Sequence, residues 1–383
     1  MSAHRSRFIV LAFAALTAPF ACDPPNDQPI TGLQGPSFMT LEGSEWSTPV
    51  NLADAALFIG NLVPGAPAGN GILRYEGRGN FIDAFTPGGC CMTFGPGEHL
   101  YVTRQRGVHR FNGVTGEFMD VFVAPDPNPA IIAFIPVLGP DGHLYVSYRG
   151  AAQSIRRYDA DGNVDDGFFV DGAAQGMTNA QFFAFGLDGN IYFASQGTHE
   201  VLLFSGRDGA FIDRFVEAGE GGLVGPSGLT FGPDGILYVG SPPTDRVLRF
   251  DRDGTYIGDF FPAASGGLDL PVGITFGPDG NFYVAAAATP QAAGVFRYNG
   301  TTGEFMDTFV GPGDGRTTGP RTLQFKATIA ICHVPRGNPD NRHTITIGYL
   351  SARDHIDHGD AVGPCAVPSP IGRTRDMRRH PGR

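Results

Sequence analysis

Basic charge is scarce in this sequence. Its 383 residues hold 27 Lys and Arg against 38 Asp and Glu, a formal net charge of -11. That balance argues against nucleic acid as a partner, because phosphate binding needs a basic surface. Long apolar runs are missing as well. Past Ala18, no segment is long and apolar enough for a transmembrane helix. Cysteine is sparse, with Cys22, Cys90, Cys91, Cys332 and Cys365 in all. What the chain has in quantity is Gly at 56, Pro at 31 and Phe at 31. A Gly and Pro load of this size means either disorder or many tight turns. The phenylalanines decide between them, since disordered chains are poor in aromatics. The composition is that of a turn-rich, all-β protein.

The N-terminus reads as an export signal. His4, Arg5 and Arg7 make a basic start, and Phe8 to Ala18 is an apolar run too short to span a membrane. Pro19-Phe20-Ala21-Cys22 follows. A small residue before Cys resembles a bacterial lipoprotein cleavage site, although Pro19 stands where Leu is usual. Lipidation of Cys22 and plain secretion are both open. Either way, the expected compartment is the bacterial periplasm, the cell surface or the outside. A lipid anchor is the one membrane contact expected. Residues 1–22 are therefore assigned to the signal and 23–54 to a linker. Without Cys22, four cysteines remain, and an even count in an exported chain suggests disulfides; pairing cannot be read from the count.

One block recurs five times: Phe94-Gly-Pro-Gly-Glu-His-Leu-Tyr-Val102, then Leu138 to Val146, Phe185 to Phe193, Phe231 to Val239 and Phe276 to Val284. The starts lie 44, 47, 46 and 45 residues apart. Each block reads as strand, tight turn, strand, because Pro presets φ and Gly accepts positive φ. A third strand follows, such as Val201-Leu-Leu-Phe204, Val247-Leu-Arg-Phe250 or Val295-Phe-Arg-Tyr298. Then comes a fourth, such as Tyr256 to Phe261 or Phe305 to Val310. Four short strands per period of about 45 residues form a propeller blade.

The ends of the array complete each other. Residues 56–85 hold three strands, Ala56-Leu-Phe-Ile59, Gly71-Ile-Leu-Arg-Tyr75 and Asn80-Phe-Ile-Asp-Ala-Phe85, and lack a first one. Gly319-Pro-Arg-Thr-Leu-Gln-Phe325 matches Gly225-Pro-Ser-Gly-Leu-Thr-Phe231, a first strand with nothing after it. Five whole blades and one shared blade make six, and the shared blade zips the ring shut.

With Pro271-Val-Gly-Ile-Thr-Phe-Gly-Pro-Asp-Gly-Asn-Phe-Tyr-Val284, the repeat resembles that of the NHL-type six-bladed propellers over residues 55–326. The departure is after Tyr-Val, where NHL repeats commonly carry Ala-Asp. Here Thr103-Arg104, Ser147-Tyr148, Ala194-Ser195, Gly240-Ser241 and Ala285-Ala286 stand instead.

Function on a propeller sits in the loops at one end of its channel. The starts of first strands align as one column: Cys90, Phe134, Gln181, Ser227, Val272 and Arg321. Loops after second strands add Arg104, Gln105, Arg106, Tyr148, Arg149, Gln196, His199, Glu200, Asp245 and Arg246. The candidate ligand-binding set at the channel mouth is Arg104, Arg106, Tyr148, Arg149, Gln181, His199, Glu200, Asp245, Arg246 and Arg321. This ring is polar and mixed in sign. It lacks the repeated His or carboxylate groups of metal-dependent gluconolactonase-type propellers and of streptogramin-type lyases. Only His199 and Glu200 stand together, and adjacent strand residues face opposite ways. The expected function is therefore a non-enzymatic scaffold, monomeric, for a protein, glycan or small ligand. The alternative is a metal-assisted propeller lyase or hydrolase.

Two further motifs have competing readings. Cys90-Cys91 is either a strained vicinal disulfide or two small buried thiols. Neighbouring Cα atoms lie about 3.8 Å apart, against the roughly 4.4–6.8 Å that a disulfide usually spans. Asp159-Ala-Asp161-Gly-Asn163-Val-Asp165 looks like a calcium loop but lacks Gly at the sixth position and Glu at the twelfth, where Val170 sits. A hairpin turn is the better reading.

After Phe325 the repeat stops. Cys332-His333-Val-Pro-Arg-Gly-Asn338-Pro, His343-Thr-Ile-Thr, the run to His355, His358 and Asp360, and a closing Cys365 resemble a small module found at the C-termini of exported bacterial proteins. It is placed at 327–366, with a basic tail at 367–383. Two strands and a short helix enclose too little core to stand alone. The closing Cys implies a Cys332–Cys365 bond, worth roughly 3–4 kcal/mol on the chain-entropy model. His333, His343, His355, His358 and Asp360 are candidate ligands for zinc or copper. The competing reading has them capping and packing in a tiny domain.

Overall fold

The computed structural model describes residues 52, 55–62, 71–287, 289, 292–334, 343–348, 361–362 and 365, with the backbone alone at 328–331, 343–348 and 361–362. The export signal, Cys22, the linker up to residue 51, the basic tail, and the candidate ligands His355, His358 and Asp360 lie outside these residues. So does the stretch Ser351 to His358 expected to be helical.

Six antiparallel four-stranded blades make up the fold, and no α-helix occurs among the described residues. The first blade joins β1 (Ala55–Asn61), β2 (Gly71–Glu76) and β3 (Phe81–Pro87) to the distant β24 (Pro320–His333). The second is β4 (Cys91–Phe94), β5 (Leu100–Arg104), β6 (Gly107–Phe111) and β7 (Phe118–Val123). The third is β8 (Ile131–Leu138), β9 (Leu144–Gly150), β10 (Ser154–Tyr158) and β11 (Val164–Asp171). The fourth is β12 (Ala180–Phe185), β13 (Ile191–Ser195), β14 (Glu200–Phe204) and β15 (Phe211–Val216). The fifth is β16 (Leu229–Phe231), β17 (Leu237–Ser241), β18 (Arg246–Phe250) and β19 (Tyr256–Asp259). The sixth is β20 (Pro271–Phe276), β21 (Phe282–Ala286), β22 (Gly294–Tyr298) and β23 (Phe305–Val310).

The first blade is composite, as its two half-motifs require. Leu57 faces Phe325 and Ile59 faces Leu323 across the β1–β24 ladder. β24 then runs on without a break through residues 326 and 327. Its far half pairs with β25 (His343–Gly348) and with β26 (Ala361–Val362). A disulfide joins Cys332 to Cys365, with Cα atoms 4.5 Å apart. Propeller and C-terminal module thus share one strand.

The phenylalanines explain how neighbouring blades hold together. In the third blade, Tyr145 of the Leu-Tyr-Val run sits between Phe168 of its own outer strand (5.0 Å) and Phe185 of the next blade (4.8 Å). Tyr192 does the same with Phe215 and Phe231, and Tyr238 with Phe260 and Phe276. Tyr283 packs on Phe309 and on Phe325, so the same clamp closes the ring. In the composite blade Phe58 takes the tyrosine's place, against Phe85 and Phe94. These contacts are edge-to-face, a geometry worth about 0.5–1.5 kcal/mol per pair beyond area burial.

The acidic turns are structural. Asp141, Asp188, Asp234 and Asp279 each accept a backbone N–H two residues on, at 3.0–3.1 Å. Asp141, Asp188 and Asp279 also accept the hydroxyl of Tyr145, Tyr192 and Tyr283. The calcium-like loop is a turn of the same kind. Asp159 accepts the N–H groups of Asp161 and Asn163, both at 2.9 Å. Much of the net negative charge is therefore spent on local capping.

Candidate functional site at the channel mouth

The aligned column of first-strand starts forms the inner ring of the molecule, and its backbone carbonyls link the blades. Thr322 Oγ1 donates to the Cys90 carbonyl (3.1 Å), Thr103 to Phe134 (2.8 Å), Ser147 to Gln181 (2.8 Å) and Ser227 to Val272 (3.1 Å). Each bond crosses from one blade to the next. Thr103 and Ser147 stand where NHL repeats have alanine. Their hydroxyls are buried and serve as inter-blade donors. The departure from the NHL pattern therefore has a physical role at the hub.

Most of the loop residues named from the sequence are already held by neighbouring strands and loops. Arg106 donates to the carbonyls of Asp126, Asn128 and Ile131 at 2.7–3.2 Å. Tyr148 is buried and shares a 2.5 Å hydrogen bond with Tyr158 while Arg156 lies over its ring. Burial pushes its phenol pKa well above the usual range, so it stays neutral. Glu200, 4% exposed, is paired with Arg214 and accepts from Thr198 at 2.6 Å. His199 is exposed, with φ at 64°, and its Nδ1 accepts the Gly225 N–H at 2.9 Å. Asp245 accepts the Leu270 N–H at 2.9 Å, and Arg246 is held by Asp259 and Tyr256. Arg104 lies along Gly88, where a Cβ would come within 3.0 Å of its Nε.

Three of the named residues converge on the inner ring. Gln181 donates to Asn179 (3.0 Å) and to Gln196 (2.9 Å), making an amide cluster. Arg149 lies over the Phe134 ring, 4.2 Å from its centroid. Arg321 follows Pro320 on β24, beside Thr322, whose hydroxyl reaches Cys90. Its Nε is buried with no hydrogen-bond partner among the described residues. Neither Arg149 nor Arg321 forms an ion pair among the described residues.

Cys90 and Cys91 are free thiols, as the blander reading of the sequence has it. Their Sγ atoms are 2.8 Å apart. Cys90 keeps 9% of its surface and Cys91 none. The Cys91 hydrogen bond lowers the Cys90 pKa, and the positive charges of Arg321 and Arg149 act in the same direction. Burial pushes the Cys91 thiol the other way, upward. The charges of two arginines, one from the first blade and one from the third, thus act on the two-thiol step of the second. The sequence carried a signal for this convergence. Cys90 and Arg321 occupy the two ends of the aligned column, and a closed ring makes those ends neighbours.

Among the described residues no group of three or more His, Cys, Asp or Glu is placed to hold a metal ion. In the C-terminal module, the β24–β25 register sets His333 directly opposite His343.

No protein-family model matches the chain, and no curated protein matches its sequence. Solved structures do resemble it. A protein of unknown function from Bacteroides caccae is 12% identical with a TM-score of 0.56, covering 70% of this chain and 98% of its own. A structure of a nidogen/laminin complex aligns at 15% identity and a TM-score of 0.52, over 71% of this chain and 98% of that one. Virginiamycin B lyase from Staphylococcus aureus is 19% identical at a TM-score of 0.46, over 68% and 83%. At these identities the first two likenesses bear on the fold alone, which the strand topology gives as a six-bladed β-propeller.

Proposed function

We propose that this chain is an exported, monomeric binding scaffold that takes an anionic ligand at the channel mouth, between Arg149 and Arg321. The observation that carries this reading is a pair of guanidinium groups at the hub without carboxylate partners among the described residues. Neither guanidinium has a hydrogen-bond partner within its own blade among the described residues, and the Arg321 Nε is buried, as are those of Arg106 and Arg249, so the outer N–H groups are the ones a ligand would meet. A carboxylate, sulfate or phosphate oxygen suits the outer N–H groups of a guanidinium. The ligand is thus a small molecule, or a glycan or protein group, that bears one of these anions. Stacking on Phe134 keeps Arg149 from folding away.

Calorimetry with uronic-acid and neutral oligosaccharides of equal length tests this reading. The acidic series is expected to bind, more weakly as salt rises. Arg149→Gln with Arg321→Gln should weaken it about tenfold or more. Equal binding of the neutral series, unaffected by the double substitution, would overturn the reading.

The pairing of His333 with His343 supports a second, separate site. We propose that the C-terminal module binds zinc or copper through these two histidines together with His355, His358 and Asp360. Elemental analysis of the purified chain should find stoichiometric metal that disappears in the His355→Ala, His358→Ala variant. Metal retained in that variant, or absent from a metal-supplemented preparation of the unaltered chain, counts against it.

A further inference from the structure

The Cys90–Cys91 step goes beyond ligand binding. We propose that it is a peroxide-reactive dithiol site, with Cys90 as the attacking sulfur and Cys91 as the resolving one. The inference does not depend on which ligand the channel mouth takes.

Four observations carry it. The two sulfurs are already within 2.8 Å, so little motion separates the thiol pair from a bond between them. Their burial is unequal: both are buried, but Cys90 keeps 9% of its residue surface and Cys91 none. The Cys91 hydrogen bond lowers the Cys90 pKa against the opposing effect of burial, and the charges of Arg321 and Arg149 add to the lowering, which favours a thiolate there. The peptide that carries the pair is held on both sides. Thr322 Oγ1 donates to the Cys90 carbonyl at 3.1 Å, and Cys91 is registered opposite Thr103 in the β4–β5 ladder. The chain arrives there through Gly88 and Gly89, at φ of 70° and 90°, a conformation that side chains disfavour.

The chemistry balances with a hydroperoxide as oxidant. The Cys90 thiolate attacks one peroxide oxygen and the O–O bond breaks. Cys90 becomes a sulfenic acid, and the leaving oxygen takes a proton and departs as water or an alcohol. The Cys91 sulfur then attacks Cys90 Sγ. The S–O bond breaks, the S–S bond forms, and the hydroxyl leaves as water with the Cys91 proton. Two thiols have lost two electrons and the peroxide has gained them. Cys90 is buried, so the oxidant must be small and uncharged, as hydrogen peroxide is and a bulky disulfide is not. A disulfide between adjacent residues is strained, and strained disulfides are the more easily reduced. The product is therefore expected to reopen under mild thiol before the Cys332–Cys365 bond does.

The full chain in a Cys22→Ser background, treated natively with hydrogen peroxide, provides the test. Peptide mapping should show a loss of about 2 Da on the peptide holding residues 90 and 91. The reaction should run about tenfold or more faster than with free cysteine. Cys91→Ser should stop at a gain of about 16 Da on Cys90, trapped by a sulfenic-acid reagent, and Cys90→Ser should not react. Arg149→Gln with Arg321→Gln should slow the wild-type pair about fivefold or more, with an unchanged circular dichroism spectrum showing that the fold is intact. A rate no faster than free cysteine overturns the proposal. So does reaction at Cys91 in the Cys90→Ser variant, or a rate indifferent to the two arginines in a folded protein.

Discussion

A chain ending at Thr318 is expected to lose the propeller's cooperative melting transition, or to melt at least about 15 °C lower than the full chain. β24 contributes the innermost strand of the composite blade, paired with β1 from Ala55↔Ala327 to Asn61↔Pro320. Its removal leaves β1 as a bare edge at the hub. Phe325 also leaves the face of Tyr283, 4.8 Å away, so the clamp between the sixth and first blades loses a ring. Lys326 is lost from Glu98 (3.0 Å) and from the Phe94 ring, and Gln324 from the Phe94 N–H. Each net hydrogen bond is worth about 0.5–1.5 kcal/mol and each aromatic pair about as much. Together they approach the whole stability of an ordinary domain, about 5–15 kcal/mol. A chain ending at Ala327 retains all the β1 partners and is the control. It should melt close to the propeller of the full chain. Differential scanning calorimetry of the two truncations decides the matter, and an unchanged transition in the shorter one would show that closure does not hold the ring.

Replacing Asn61 with alanine should cost about 2–5 kcal/mol, a fall of roughly 5–15 °C in the melting temperature. Asn61 is fully buried at the end of β1. Its Oδ1 accepts the backbone N–H groups of Thr318 (3.1 Å) and Gly319 (2.9 Å), and its Nδ2 donates to the Arg316 carbonyl (3.3 Å). One side chain therefore satisfies the backbone where the returning chain turns into β24. Alanine leaves two N–H groups unpaired, each carrying about 1–3 kcal/mol of desolvation cost. Denaturant melts of the two proteins give the difference. A loss below about 0.5 kcal/mol, the range of an ordinary surface substitution, would remove Asn61 from the closure.

Asn61 also marks the limit of what repeats reveal. The blade pattern was legible because tight turns have a fixed chemistry. Pro-Asp-Gly recurs, and the strands between alternate in a period that a propeller needs. The composite blade was legible because Gly319 to Phe325 repeats a motif whose other half is missing. Asn61 belongs to no repeat. Its partners lie more than 250 residues away, and only the closed ring brings them to it. The candidate site divides in the same way. The column that holds Cys90 and Arg321 can be aligned by eye, but alignment does not tell which loop residues are already committed. Glu200 looked available as a neighbour of His199, yet Arg214 of the adjacent outer strand neutralises it. Tyr148 looked like a mouth residue, yet Tyr158 and Arg156 take both its hydroxyl and its ring.

By itself, the sequence determined six blades, their strand order and a ring closed by its own C-terminal strand. These follow from local turn chemistry and a repeat length, which the chain carries wherever it is read. Only the tertiary structure decided that the strand closing the propeller continues into the C-terminal module. It alone decided that Thr103 and Ser147 tie blade to blade, and that the Cys90 and Cys91 sulfurs lie together at the hub. The ties between blades depend on distances between residues far apart in the chain. A periodic sequence names such residues one by one, but closure of the ring is what makes them neighbours.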